Sequence, residues 1–132
     1  AHDTHHPVGV GLHYEEQKKE ARRRAVEFLG ARIPKFLGYF EGLLARPGHR
    51  GHFMLGARLS YVDLSMFQVI EGLRYAFPNA MARIEPQHPR LHKLHEHVAG
   101  RANIARYLAS PRRLPFSEQG IFRHYPELDA PR

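Results

Sequence analysis

The chain has 132 residues, of which 42% are hydrophobic, and this is enough for one domain with a single core. It contains no cysteine, which excludes disulfides, thiolate metal sites and a cysteine nucleophile. This composition fits a reducing compartment, and we expect a cytoplasmic protein. No apolar run approaches the roughly 18 to 20 residues that a membrane span needs, so we expect no membrane partner.

The formal net charge of +7 raises the question of a nucleic-acid partner. The densest basic run, residues 22–24, is flanked by Glu20 and Glu27 at spacings that allow ion pairs along a helix. No zinc-finger, helix-turn-helix or RNA-binding signature accompanies these residues in the sequence. We therefore predict a solvated helix face here, and no nucleic-acid site.

Residues 1–13 are rich in glycine and histidine and have weak periodicity, so we interpret them as a connector or the end of a truncated upstream helix. From Tyr14 to Arg46, apolar residues recur at i, i+3, i+4 and i+7, which indicates helix. Pro34 lacks a backbone N–H and clashes with the preceding turn. A kink or a break is therefore expected near residues 30–34.

The strongest local signal lies at residues 59–77, after a loop at 46–58 that is rich in glycine. Ser60 and Asp63 stand at the N-cap and N3 positions of a helix, where each side chain can satisfy free backbone donors. Leu59 and Leu64 are spaced to form a hydrophobic staple over this cap. The helix that follows is apolar around most of its circumference, which predicts a buried central helix.

The rest of the chain predicts short helices and a tail. Residues 80–84 can form one turn, Pro89 is suited to the first position of a helix that ends near Gly100, and residues 103–108 form another short helix. The last segment has several prolines and no period. We predict an all-α fold, a helical bundle of about five helices at residues 14–113 around a buried central helix, with an extended C-terminal tail at 114–132 packed on it.

Three segments in this order resemble the C-terminal domain of cytosolic glutathione S-transferases, and they are most similar to the sigma and mu classes. They are RIPKFLGYFEGLLA, FMLGARLSYVDLSMFQVI and HPRLHKLHEHVAGRANIARYLASPRR, and the resemblance covers about residues 30–113. It implies an electrophile-pocket wall and a homodimer contact, in a detoxifying parent transferase that conjugates or reduces electrophiles with glutathione as co-substrate. The alternative is a non-catalytic interaction module of the same fold, as in translation factors and aminoacyl-tRNA synthetases.

The same resemblance implies a partner, a thioredoxin-like N-terminal domain that binds glutathione and activates its thiol. No segment of this chain resembles that domain, so we expect a fragment of a longer parent and assign no catalytic or cofactor-binding residue here. By position, His5, His6, Tyr14 and Phe116 are the candidates for the electrophile pocket. The competing interpretation is that both histidines are connector residues and both aromatic residues serve packing.

Eleven histidines raise the question of a metal site. His88, His92 and His95 share one helical face, and spacing of this kind can chelate zinc or nickel. The sequence places no clear carboxylate ligand beside them, and the family that the chain resembles uses no metal. We therefore predict a solvated polar face for these residues and no metal site in the chain, including the group near its start.

Overall fold

The computed structural model describes residues 1–129 and is built from helices. These are α1 (His2–His5), α2 (Lys18–Glu27), α3 (Ile33–Leu44), α4 (Tyr61–Ala76), α5 (Pro78–Ile84), α6 (Pro89–Ala99), α7 (Ala102–Leu108) and α8 (Pro126–Asp129). Within the described residues there is no strand, only an isolated bridge between Phe53 and Gly56 in the loop before α4. The predicted all-α fold is confirmed. None of the helices in residues 1–129 has both the length and the hydropathy that crossing a bilayer requires.

The long helical segment of the N-terminal half changes its winding where Pro34 predicts an interruption. A π-helical stretch, Phe28–Arg32, joins α2 to α3, and Pro34 occupies the first turn of α3. Its missing N–H is therefore accommodated at a point where the regular ladder is already widened. The helical segment is therefore continuous here, with a π-helical stretch between α2 and α3 in place of a break.

The core lies where α4 meets α6, with α3 packed on α6 and α5 packed on α4. Its main members are the buried side chains of Met66, Phe67, Ile70, Leu73, Leu91, Leu94 and Val98. Parts of α4 are more open than its apolar composition suggested. Leu64 is 39% exposed, Val69 is 41% exposed and Tyr61 is 79% exposed. The helix is central, but one side of it borders a cavity and solvent.

The C-terminal segment crosses the bundle and ends in a helical turn. Phe122 packs partly buried against the core, and Leu128 of α8 is fully buried. The carboxylate of Asp129 accepts hydrogen bonds from the backbone N–H of Asn79 (2.8 Å) and of Ala80 (2.9 Å). Residues 114–125 have no regular structure, whereas 126–129 are helical where an extended tail was expected. The tail's last residues, 130–132, lie outside the described part.

Candidate functional site

An apolar cavity of about 400 Å³ opens between the π-helical stretch, α3 and α4. Aromatic and aliphatic side chains form its walls: Phe28, Phe36, Phe40, Val69, Leu73 and Phe122. Its volume falls in the range of small-molecule sites, and its walls are the type that buries an apolar ligand. Phe36 and Phe40 belong to the apolar residues that recur at helical spacing between Tyr14 and Arg46. The signal for a cavity was that α3 and α4 carry more apolar residues than one buried face needs.

The cavity has little acid–base chemistry of its own. Arg32 contributes the one charged side chain among the residues that line it. Its guanidinium lies 5.4 Å from the centroid of the Phe36 ring, and the Lys35 ammonium lies 5.9 Å from the same ring. These cation–π contacts orient the ring and leave positive charge at the rim. Ser65 adds one hydroxyl to the lining. The cavity can therefore bind and orient an apolar molecule, but none of the described residues lines it with a carboxylate or imidazole that could act as a general base.

Three of the four predicted pocket residues lie together, at a different place. The ring of Tyr125 stacks on Tyr14 with centroids 3.8 Å apart and lies 5.9 Å from His5. His5 in turn contacts His6, with the two Nδ1 atoms 2.6 Å apart. Phe116 is separate and stacks on Tyr75 at 4.9 Å. His6 and Tyr14 border a polar cleft of about 370 Å³, so none of the four lines the apolar cavity.

Tyr14 is a hydrogen-bond donor inside the protein. Its hydroxyl donates to Glu127 Oε1 at 3.0 Å, and Lys18 pairs with the same oxygen at 3.0 Å. Burial raises the pKa of Tyr14, and the hydrogen bond to the Glu127 carboxylate raises it further. The phenol therefore stays protonated, and its proton is already committed to Glu127. This geometry favours the packing interpretation of Tyr14 over a role toward a substrate.

His5 is buried, and burial lowers the pKa of its imidazole to about 4. Its Nε2 lies 3.2 Å from the carbonyl oxygen of Ile121, which can only accept a hydrogen bond. Nε2 therefore carries the proton, and the Nδ1 lone pair faces His6. Burial also lowers the pKa of His6. Neither residue is an exposed connector side chain, because His5 is enclosed and His6 is partly so.

The residues predicted to cap and staple α4 lie at its N-terminus, and Asp63 is fully buried there. Ser60 and Asp63 form a capping box. Asp63 Oδ2 accepts from the backbone N–H of Ser60 at 2.8 Å and from its hydroxyl at 2.9 Å. Asp63 Oδ1 accepts from the Met54 N–H at 2.7 Å, which ties the preceding loop to the helix. Leu59 packs against the core while Leu64 is partly exposed, so the staple between them stays a prediction.

The face of α6 expected to be solvated is largely buried, because α6 packs against both α3 and α4. His88 and His95 are both less than a tenth exposed. His95 stacks on Phe67 at 4.6 Å and donates from Nε2 to Glu71 Oε1 at 2.8 Å. The sequence signal that was missed is Glu71, a carboxylate in the middle of an otherwise apolar helix, which requires a partner.

Glu71 belongs to a network of charges between α4, the start of α6 and the tail. It also accepts from Arg113 at 2.9 Å. Arg74, one turn further along α4, binds Glu85 through both of its carboxylate oxygens, with Nε to Oε2 at 2.9 Å. Hydrogen bonding to Glu85 raises the pKa of Arg74. Paired in this way, the charges stabilise the packing of α4 on its neighbours and give no sign of a reactive group.

Within the described residues, one group of side chains is arranged so that it can hold a metal ion. The ring nitrogens of His2, His5 and His6 all lie within 4.8 Å of one another.

The family model described as "Glutathione S-transferase, C-terminal domain" matches residues 2–111. The chain belongs to this family. Two curated relatives are named glutathione S-transferase. The protein from Plasmodium yoelii yoelii is 27% identical over 89 residues, which covers 67% of this chain and 40% of the relative. The protein from Plasmodium falciparum (isolate 3D7) is 26% identical over 94 residues, 67% of this chain and 42% of the relative. This glutathione S-transferase C-terminal domain thus spans about two-fifths of the length of the relatives it matches.

Proposed function

We propose that this chain is the C-terminal domain of a transferase that conjugates or reduces electrophiles with glutathione, and that its apolar cavity walls the electrophile site. The observation that carries the proposal is an open, apolar cavity on a domain of this family. In this proposal a thioredoxin-like domain of the parent supplies glutathione binding and thiol activation. The parent is a cytoplasmic homodimer with a detoxifying role.

The physical argument concerns what the cavity can bind. Each Å² of apolar surface removed from water contributes about 25 cal/mol, so an aromatic electrophile gains affinity on walls made by Phe28, Phe36 and Phe40. Arg32 at the rim favours electrophiles that carry a nitro or carboxyl group. The cleft beside His6 and Tyr14 is polar, so an apolar molecule would bury less apolar surface there. We therefore place the electrophile in the α3–α4 cavity, with His5, His6, Tyr14 and Phe116 outside it.

A dye titration on the purified chain tests the cavity. Val69 lines it and Val26 of α2 does not, although both are partly exposed helix positions. We expect Val69→Lys to weaken binding of an apolar fluorescent dye by about 10-fold or more, since a hydrated ammonium at the mouth replaces apolar wall and would have to lose water when the dye binds. The control Val26→Lys should leave the affinity unchanged. Equal binding by both variants would place the apolar site elsewhere.

Steady-state kinetics on the longer parent test the reaction. With glutathione and a chlorodinitrobenzene, Val69→Lys should raise KM for the electrophile and leave KM for glutathione unchanged. The present chain alone should give no turnover above the uncatalysed rate, because in this proposal the thioredoxin-like domain of the parent supplies the glutathione pocket and the group that activates the thiol. A parent with no turnover on any of several electrophiles would favour the alternative, a non-catalytic docking module.

A further inference from the structure

We propose that His2, His5 and His6 form a zinc-type metal site with three imidazole ligands and one open coordination position. One ring nitrogen of each histidine lies within 4.8 Å of the other two, so side-chain rotation alone can bring the three onto one ion. A tetrahedral zinc with bonds of about 2.0 to 2.1 Å needs ligand nitrogens roughly 3.3 Å apart. Rotations of the partly exposed His2 and His6 rings supply this adjustment.

The backbone of α1 brings the three rings together. The His6 N–H donates to the His2 carbonyl at 3.2 Å, so His2 and His6 are one helical turn apart and on the same side. The two rings stack with centroids 5.0 Å apart, and His5 meets both edge-on at 4.9 and 4.8 Å. Thr4 fixes the turn through its hydroxyl, which donates to the Ala1 carbonyl at 2.6 Å. The turn therefore gathers three imidazoles in one place. Because the His2 and His6 rings are stacked, one of them must rotate before both lone pairs can meet the same ion.

His5 already has the outer partner that a metal-bound histidine usually has. Ligating histidines almost always donate their other ring N–H to a carboxylate, a backbone carbonyl or water, which fixes the tautomer. His5 donates from Nε2 to the Ile121 carbonyl at 3.2 Å, and this leaves the Nδ1 lone pair directed at the cluster. The ring is buried between the tail and α1, so its orientation is set before any ion binds.

The histidines of α6 make the contrast, because there the ring nitrogens are engaged with other groups. His88 donates from Nδ1 to the Ile84 carbonyl at 2.9 Å. His92 contacts Glu85 at 2.8 Å and Glu96 at 3.4 Å through its two nitrogens. His88 keeps a lone pair on Nε2, but both nitrogens of His92 face carboxylates, so these residues have the chelating spacing in sequence without a shared free site. In the first turn of the chain the ring nitrogens face one another, and an ion would replace the contact between His5 Nδ1 and His6 Nδ1.

The surroundings define what completes the shell. Positive charge already lies near the cluster, on the Arg123 guanidinium. His6 and Arg123 border the same polar cleft. A fourth ligand entering from that cleft is therefore an anion or a hydroxide, balanced by Arg123. Three imidazoles with one open position are the ligand set of catalytic zinc, whereas closed structural sites use four protein ligands.

Zinc and cobalt titrations of the untagged chain test the site. We expect one equivalent of Zn²⁺ to bind by calorimetry, and Co²⁺ at the same site to give visible absorption of tetrahedral type. His2→Gln and His6→Gln each remove one ligand and should weaken Zn²⁺ binding by at least about 10-fold. Loss of a residue that only hydrogen-bonds to a metal ligand already weakens metal affinity by about 10-fold or more. His92→Gln, the matched control on α6, should bind Zn²⁺ as the unaltered chain does.

Circular dichroism shows which variants are folded, and only folded variants are compared. If one of the two ligand variants unfolds, the other is used for the test. Zinc should also raise the thermal midpoint of the unaltered chain and of His92→Gln, but not of His2→Gln or His6→Gln. Absence of saturable Zn²⁺ binding would overturn the proposal. So would full affinity in folded His2→Gln and His6→Gln, or an equal loss in His92→Gln, since binding would then be spread over the surface histidines.

Discussion

Asp63 joins the start of α4 to the loop that precedes it. It is fully buried, and an ionised carboxylate is costly to bury unless its oxygens accept hydrogen bonds. Two bonds come from Ser60 and one from Met54, so both oxygens are satisfied. The charge also lies at the positive end of the α4 dipole. Removing this side chain therefore frees donors of the loop and of the helix start at once.

We expect Asp63→Ala to lower the free energy of unfolding by about 1 to 3 kcal/mol, because a cap, a favourable charge and a loop contact are lost together. Glu27→Ala is the control. Glu27 is exposed and pairs with Arg24 at 2.7 Å on the surface of α2, so its loss should stay within about 0.5 kcal/mol. Urea melts measure both. If Asp63→Ala melts with the unaltered chain, the cap does not control the start of α4.

The contacts between His95 and Glu71 predict that acid destabilises the domain. Burial lowers the pKa of His95 below its ordinary 6.5, against the hydrogen bond to Glu71, and the nearby Arg74 lowers it further. The unfolded chain therefore binds this proton first, so stability is greatest above pH 6.5 and falls as the pH drops through that value. Burial raises the pKa of Glu71, but hydrogen bonds from Arg113 and His95 outweigh it and hold the pKa below 4.5. Its contribution is lost below pH 4.5, in the same direction.

Urea melts between pH 7 and pH 5 check this slope. His95→Gln keeps a donor toward Glu71 but cannot take up a proton, so the loss of stability over this range should become smaller. His97→Gln, on the exposed side of the same helix, should retain the slope of the unaltered chain. A slope unchanged in His95→Gln would assign the pH dependence to other groups.

At the scale of the elements, carboxylates that are distant in sequence cap the N-termini of α5 and α6. Glu41 of α3 accepts from the backbone N–H of Arg90 at 3.0 Å and of Leu91 at 2.9 Å, at the start of α6. Asp129 does the same for α5. Each carboxylate accepts hydrogen bonds from the free backbone N–H groups at the start of another helix. It therefore caps that helix and also fixes the position of the two helices relative to each other.

This long-range capping also marks the limit of what the sequence could predict. The start of α4 was readable because Ser60 and Asp63 are three residues apart, whereas Glu41 and Asp129 act on residues about 50 positions away. For the same reason the sequence grouped His5, His6 and Tyr14 with Phe116, but could not foresee that Tyr125 of the tail lies beside them instead. The apolar cavity escaped prediction because it depends on how far α3 and α4 stand apart.

The contact of Gly72 with Phe122 predicts how the tail is held on α4. A Cβ at Gly72 would overlap the ring of Phe122. Gly72→Ala should therefore displace the tail and cost about 1 to 3 kcal/mol, despite the better helix propensity of alanine. Gly42→Ala in α3 is the matched control, because no atom lies within 4 Å of its added Cβ. That variant should gain up to about 1 kcal/mol. A gain in both variants by urea melt would show that the tail moves aside without cost.

At the scale of the whole molecule, one surface combines exposed apolar side chains with the opening of an apolar cavity. The mouth of the α3–α4 cavity carries Phe36 and Val69, both about two-fifths exposed or more. Exposed aromatic and aliphatic side chains that adjoin an apolar cavity mark a surface that binds something. In the proposed parent, an electrophile and neighbouring protein surface cover it. In the isolated chain, a second copy is the available partner.

We therefore expect the isolated chain to self-associate through this surface, with a mass by light scattering that rises with concentration. Phe36→Gln keeps a good helix former but removes the exposed ring, so it should shift the equilibrium toward monomer. Leu114→Gln is the control, because Leu114 is 83% exposed on the tail and does not line the cavity. Its self-association should match that of the unaltered chain. A clean monomer at millimolar concentration that binds no apolar dye would contradict the prediction. Equal dissociation by both variants would instead show that copies meet through scattered apolar residues, and the cavity mouth would then not be an interface.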